Sequence, residues 1–253
     1  MMQNKKLVSV LAGPVLALST TMAQAILIYD ADNEGFSLGT TPPTTGPLDA
    51  PTSIDPNLGL TVEDGTTVAG PNLGPDKFLR LTESAGEAPD FRYDAGVTYT
   101  SGEWLVSMDL LFENLENYHV YFRESSTSAV SVANINFIQD GRVRVESSGG
   151  ISLDSYAAGV SYELLVYLDL GSSLMDVFLN SMQIANDLAI DDEFGAVLIG
   201  YEFSSLDPQD PVFNGVMQVD NFRISSVPEP SVVSLVCMGL VGMSFARKRM
   251  MAA

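Results

Sequence analysis

Apolar and polar residues alternate with a period of two through the middle of this chain. Trp104, Val106, Met108, Leu110 and Phe112 share one parity, and Ser107, Asp109 and Glu113 take the other. Tyr118, Val120 and Phe122 repeat the pattern, and Tyr162, Leu164, Val166, Leu168 and Leu170 repeat it again, opposite Glu163 and Asp169. Successive strand side chains point to opposite faces, so each run predicts a strand with one buried face. No segment sustains a helical period. Closely spaced turn clusters between such runs predict an all-β fold, a two-sheet antiparallel sandwich.

Local chemistry places one hairpin. Gln139-Asp140-Gly141 reads as a three-residue loop with glycine at the position that needs positive φ. That register sets Phe137 opposite Val143 and Ile135 opposite Val145. A slip of one residue would oppose Phe137 to Arg144, which the pleat penalises. Ile26 to Tyr29 reads as a first strand. Two stretches break the rhythm, Thr40 to Pro56 and Ser204 to Asn214, and both are expected to be long loops over the sandwich.

The ends differ from the middle. Lys5 and Lys6, an apolar run from Leu7 to Leu18, and Ala23-Gln24-Ala25 form the three parts of a secretory signal peptide over residues 1–25. The run is too short for a bilayer span. Cleavage is expected after Ala25, with Ala23 and Ala25 in the cleavage site, which implies the Sec translocation machinery and signal peptidase as partners. At the other end, residues 227–253 hold Val227, Pro228, Glu229 and Pro230, then an uncharged apolar segment over 231–246, then Arg247, Lys248 and Arg249. The prolines stop the preceding strand, and the basic triplet favours the cytoplasmic side. As a single membrane helix the segment would be about 24 Å long, short of the roughly 30 Å hydrocarbon core.

This tail resembles the PEP-CTERM sorting signal, in which Pro-Glu-Pro, an apolar helix and a basic cluster occur in this order. The resemblance implies recognition by the membrane enzyme exosortase, export through an inner-membrane intermediate, and delivery to the outer surface or extracellular matrix of a Gram-negative bacterium that makes extracellular polysaccharide.

Between the ends lies one domain, residues 26–226. The whole chain has 12 Lys and Arg against 32 Asp and Glu. Without Lys5, Lys6, Arg247, Lys248, Arg249 and Glu229, 7 basic residues face 31 acidic ones, a net charge of −24. Such a surface repels nucleic acid and favours divalent cations or uncharged and cationic glycans. The only cysteine, Cys237, lies in the tail, so the domain has no disulfide and no thiol nucleophile. With the single histidine His119, a multi-histidine metal site is excluded.

Six segments of the domain are similar to concanavalin A-like, laminin G-like jelly rolls: Gly102-Glu103-Trp104, Met108-Asp109-Leu110, Tyr162-Glu163-Leu164, Leu168-Asp169-Leu170, Met175-Asp176-Val177-Phe178-Leu179-Asn180 and Val219-Asp220-Asn221-Phe222-Arg223-Ile224. Ser181 stands where that family usually has glycine, which puts the turn geometry there in doubt. The resemblance implies a jelly roll, and in its carbohydrate-binding members a structural calcium ion held between the loop after the first strand and an aspartate on the last. Asp32, Glu34 and Asp220 would be the ligands here, and hard oxygen donors on a flexible loop suit Ca²⁺.

Catalytic signatures are missing from the sequence. The E-x-D-x-x-E carboxylate strand of jelly-roll glucanases does not occur. Asp109 and Glu113 share a parity but stand about 13 Å apart along an extended strand, beyond the separation of a retaining pair; they read as a solvated face. His119, on the less apolar face of Tyr118-His119-Val120, reads as an exposed strand histidine, and no Gly-x-Ser-x-Gly elbow accompanies it. Trp104 is expected in the core, leaving Tyr121, Tyr167 and Tyr201 to stack on sugar rings. Three readings stay open: a non-enzymatic glycan-binding surface protein, a purely structural or interaction protein of the matrix, and a diverged glycan-active enzyme.

Overall fold

The structure, a computed structural model, describes residues 25–44, 50–83, 90–125, 127, 131–147, 150–201 and 215–227. Residues 1–24, the stretch 204–214 expected as a loop, and the tail from Pro228 onward lie outside the described residues. The described residues form fifteen strands: β1 (Leu27–Ala31), β2 (Ser53–Ile54), β3 (Leu58–Glu63), β4 (Phe78–Glu83), β5 (Asp90–Tyr99), β6 (Glu103–Phe112), β7 (Tyr118–Arg123), β8 (Ser131–Ile138), β9 (Arg142–Ser147), β10 (Gly150–Ser155), β11 (Ser161–Asp169), β12 (Leu174–Leu179), β13 (Met182–Ala189), β14 (Phe194–Tyr201) and β15 (Val216–Val227). Among the described residues there is no helix.

The strands form two antiparallel sheets. The first has eight strands in the order β13-β12-β11-β6-β15-β4-β3, with β1 also on β15; the second has seven, β10-β9-β8-β7-β14-β5-β2. The period-two pattern decides which face of each sheet is buried. In the first sheet, Val177, Val166, Val106, Ile224 and Tyr29 form one row of register partners across five strands. In the second, Phe91, Ile199, Val120, Ile135 and Val145 do the same. Both rows are buried in the core between the sheets.

The expected hairpin holds. Phe137 pairs with Val143 and Ile135 with Val145, and Gly141 has φ 87°. Trp104 is buried, with Nε1 donating to the Ser101 carbonyl. The turn after β12 departs from glycine chemistry: Asn180 and Ser181 both take positive φ, 50° and 64°, between paired Leu179 and Met182. This is the left-handed pair that a two-residue hairpin needs.

Three expectations are corrected. The stretch Thr40 to Pro56 is not loop throughout, because Ser53 and Ile54 add a short edge strand against Arg92 and Phe91. The last strand runs through Val227, paired with Glu103, one residue into the segment assigned to the tail. His119 is not exposed: it is 3% accessible, its ring stacked against Tyr121.

Candidate functional site

The face of the seven-stranded sheet turned away from the core carries a constellation of polar and aromatic residues. Residues of opposite parity to the core rows meet there. One row of partners reads Asp90, Gly200, His119, Asn136, Arg144; the next reads Arg92, Leu198, Tyr121, Asn134, Glu146. A third places Ala196 between Asp94 and Arg123. On this face β14 places Ala196, Leu198 and Gly200, which are buried, as are His119 and Asn136; Arg92, Tyr121, Arg123, Asn134 and Arg144 are half-buried.

Ring and charge geometry organise this face. His119 and Tyr121, two apart on one strand, stack with centroids 4.0 Å apart and planes 13° from parallel. The Arg123 guanidinium lies 5.6 Å from the Tyr121 centroid, within cation–π range. Arg92 pairs with Asp90 at 2.7 Å, and Arg144 pairs with Glu146. The amide oxygens of Asn134 and Asn136 are buried without a donor. Such an orphan is unfavourable by about 1–3 kcal/mol. The pattern of Asn, His, Tyr and Arg on alternate positions of β7 and β8 was visible in the sequence, but only the register joins it into one surface.

The opposite outer face, on the eight-stranded sheet, holds the acidic residues considered for calcium. Asn33, at φ 60°, donates from Nδ2 to Asp220 Oδ1 at 3.2 Å, and its own Oδ1 has no donor. Asp220 is 6% accessible. Burial, then the nearby charges of Asp109 and Asp76, push its pKa from 3.8 to about 6 against hydrogen bonds from Asn221 and Asn33. Glu163, Asp109 and Asp220 are register partners on one row across three strands, and like charges directly opposite repel. Asn221 donates to Asp109 Oδ2 at 2.7 Å, at a bulge in β15. A depression of about 250 Å³ opens here between Asp30, Ser107, Asp109, Glu163, Asn221 and Arg223.

Asp32, Glu34 and Asp220 are not brought together. Asp32 accepts from the Glu34 backbone at 3.2 Å, while Glu34 Oε1 accepts from the Lys77 backbone at 2.9 Å. Among the described residues, no three His, Cys, Asp or Glu side chains lie close enough to share an ion. The residue that reaches Asp220 from the first loop is Asn33.

The other sequence candidates separate. Glu113 is not a solvated residue of β6: Arg80 grips it through two hydrogen bonds of 2.7 and 3.0 Å, and Gln218 donates at 2.9 Å. Burial pushes its pKa up, but these hydrogen bonds and the Arg80 charge hold it below the usual carboxylate value. Tyr167 lies on the eight-stranded sheet, its pKa raised by burial and by Glu103. The Tyr201 side chain lies outside the described residues.

No family model and no curated protein matches the chain. Solved structures do. An alginate lyase, AlgAT5 of polysaccharide lyase family 7, is 12% identical with a TM-score of 0.51, over 81% of this chain and 95% of its own. The alginate lyase Aly36B is 11% identical with a TM-score of 0.50, over 82% and 98%. A sialidase is 14% identical with a TM-score of 0.49, and the match spans only 17% of its length. Identities this low carry the fold and nothing finer. The chain is thus a jelly-roll β-sandwich, similar in fold to the alginate lyases.

Proposed function

We propose that this is an exported, non-enzymatic protein that binds glycan across the outer face of its seven-stranded sheet. The observation that carries the reading is the register that joins His119, Tyr121, Asn134 and Asn136 on one face, with the His119 and Tyr121 rings stacked. An aromatic face with hydrogen-bonding groups on either side suits a sugar ring, which is apolar on its faces and rich in donors at its edge. A hydrolytic role is disfavoured by the commitment of Glu113 to Arg80 and Gln218.

Binding of the purified protein to an immobilised glycan panel tests this. Tyr121→Ala is expected to weaken the best ligand about tenfold, equivalent to about 1.4 kcal/mol. Unchanged affinity would remove the face from the binding site, and release of new reducing ends from any bound glycan would overturn the non-enzymatic reading.

The signal peptide over residues 1–25 and the tail resembling PEP-CTERM support export and sorting by exosortase to the cell surface or matrix. Mass spectrometry of protein recovered from cells and medium is expected to find an N-terminus at Ile26 and a C-terminus near residues 228–230. A chain still ending at Ala253 would defeat the sorting reading. A structural calcium ion is the remaining part of the proposal. The donor-less Asn33 Oδ1 and the buried Asp220 are the groups that would hold it, with Asp32 and Glu34 turned to other partners.

A further inference from the structure

We infer that the outer face of the eight-stranded sheet docks a basic polypeptide segment. The segment packs apolar residues on an island of Leu105, Leu165, Tyr167 and Phe178 and places a lysine or arginine in the depression beside it. Register creates the island. Leu105 faces Tyr167 across β6 and β11, and Leu165 faces Phe178 across β11 and β12. Tyr167 and Leu165 stand two apart on β11, so the four side chains are contiguous on the parity turned away from the core. All four are only half-buried. Leu27, 44% accessible, extends the Leu105 row beyond Ser225. An accessible apolar island with a polar border is the anatomy of a protein interface.

The border sets the charge of the partner. On one side, Asp109 and Glu163 are register partners, two residues and about 7 Å along their strands from Ser107 and Leu165. On the other, Glu103 and Asp169 are partners two residues from Leu105 and Tyr167. The depression of about 250 Å³ opens over Asp109 and Glu163, and Asp30 already holds its Arg223 at 2.6 Å. Among the described residues no ion pair reaches Asp109 or Glu163. An incoming ammonium or guanidinium therefore gains two carboxylates without displacing a partner. Other occupants fit less well. An anionic bilayer and a second copy of this acidic domain are both repelled. Leu105, Leu165 and Phe178 offer no hydrogen bond to a sugar hydroxyl, and the Tyr167 hydroxyl is engaged by Glu103. Apolar side chains of a polypeptide need none.

The test measures binding to the full-length protein in detergent, by fluorescence anisotropy at low and high NaCl. The probes are a short amidated peptide of leucines flanked by lysines, its counterpart with serine in place of leucine, and a chitosan oligosaccharide. The leucine peptide is expected to bind at least about tenfold tighter than the serine one, with an affinity that falls as salt rises. Glu163→Lys is expected to weaken it about tenfold. Asp192→Lys makes the same change of net charge in the exposed turn between β13 and β14, and is expected to leave the affinity within about twofold. Glu163 is exposed and its reversal takes one like charge out of its row, so the melting temperature should hold or rise, which separates lost binding from lost folding. Tyr121→Ala, on the opposite outer face, should change nothing, so this surface stands or falls apart from the glycan-binding one. Equal losses in Glu163→Lys and Asp192→Lys would reduce the binding to general charge and overturn the inference. A serine peptide as tight as the leucine one, or no binding by either, would overturn it too. A chitosan oligosaccharide that binds tighter than the peptide and is lost in Glu163→Lys would overturn it in favour of a cationic glycan.

Discussion

Replacing Phe112 by alanine is expected to destabilise the sandwich by about 3–5 kcal/mol and to lower its melting temperature by about 10 °C. Phe112 closes β6 in the eight-stranded sheet, but its ring packs on the seven-stranded one. The Phe137 and Tyr118 rings lie 4.6 and 4.9 Å away, and Tyr156 lies 4.9 Å away at 68°. Phe112, Phe137 and Tyr118 have no accessible surface, so removing the ring opens a cavity that rigid neighbours from two sheets cannot collapse to fill. Denaturant unfolding followed by far-ultraviolet dichroism measures the loss. A cost below about 1 kcal/mol would mean that this cluster does not hold the sheets together.

Asp220→Asn is expected to do the reverse, stabilising the metal-free protein at neutral pH by up to about 3 kcal/mol. Asp220 has its pKa raised in the folded state, from 3.8 to about 6, chiefly by burial. Below pH 3.8 the carboxyl is protonated folded or unfolded, and the substitution removes no charge. Between pH 3.8 and about 6 the unfolded chain releases the proton first, so stability drains away as pH rises. Above that window both states are ionised and the deficit is complete. The difference between variant and native protein should therefore be small at pH 3.5, grow through pH 4–6 and level off by pH 7, measured in EGTA. A difference that does not vary with pH would show that Asp220 ionises as freely in the fold as outside it. The proposed calcium site would separate the two proteins further: a cation on ionised Asp220 would offset the deficit, and at a hundredfold its dissociation constant would add about 2.7 kcal/mol. The native midpoint should rise with calcium while that of Asp220→Asn stays still. An equal response in both would remove Asp220 from any cation site.

The two substitutions fall on residues of different legibility. Phe112 was assigned to the core from its parity with Trp104, Val106, Met108 and Leu110, and the hairpin at Gly141 could be set in register from its turn and its apolar pairs. Asp220 was singled out by resemblance, but its nearest partner was not: Asn33 reaches it across 187 residues of chain, and Asp32 and Glu34 serve other contacts. His119 was misjudged as exposed. Its polar parity is correct, yet its ring stacks against Tyr121 and is buried.

Alternation, turn chemistry and the character of the two ends are local properties. A strand's side chains must alternate whatever it later pairs with, and a three-residue loop with glycine at its end closes the same way in any sheet. From these the all-β class and the core residues of the long strands could be read directly from the chain. The assembly of His119, Tyr121, Asn134, Asn136 and Arg144 into one face could not, nor could the meeting of Asn33 with Asp220. Those depend on which distant strands become neighbours and in what register, a choice made by the whole set of apolar faces seeking one common core. No single segment of the sequence holds enough of that set to decide it.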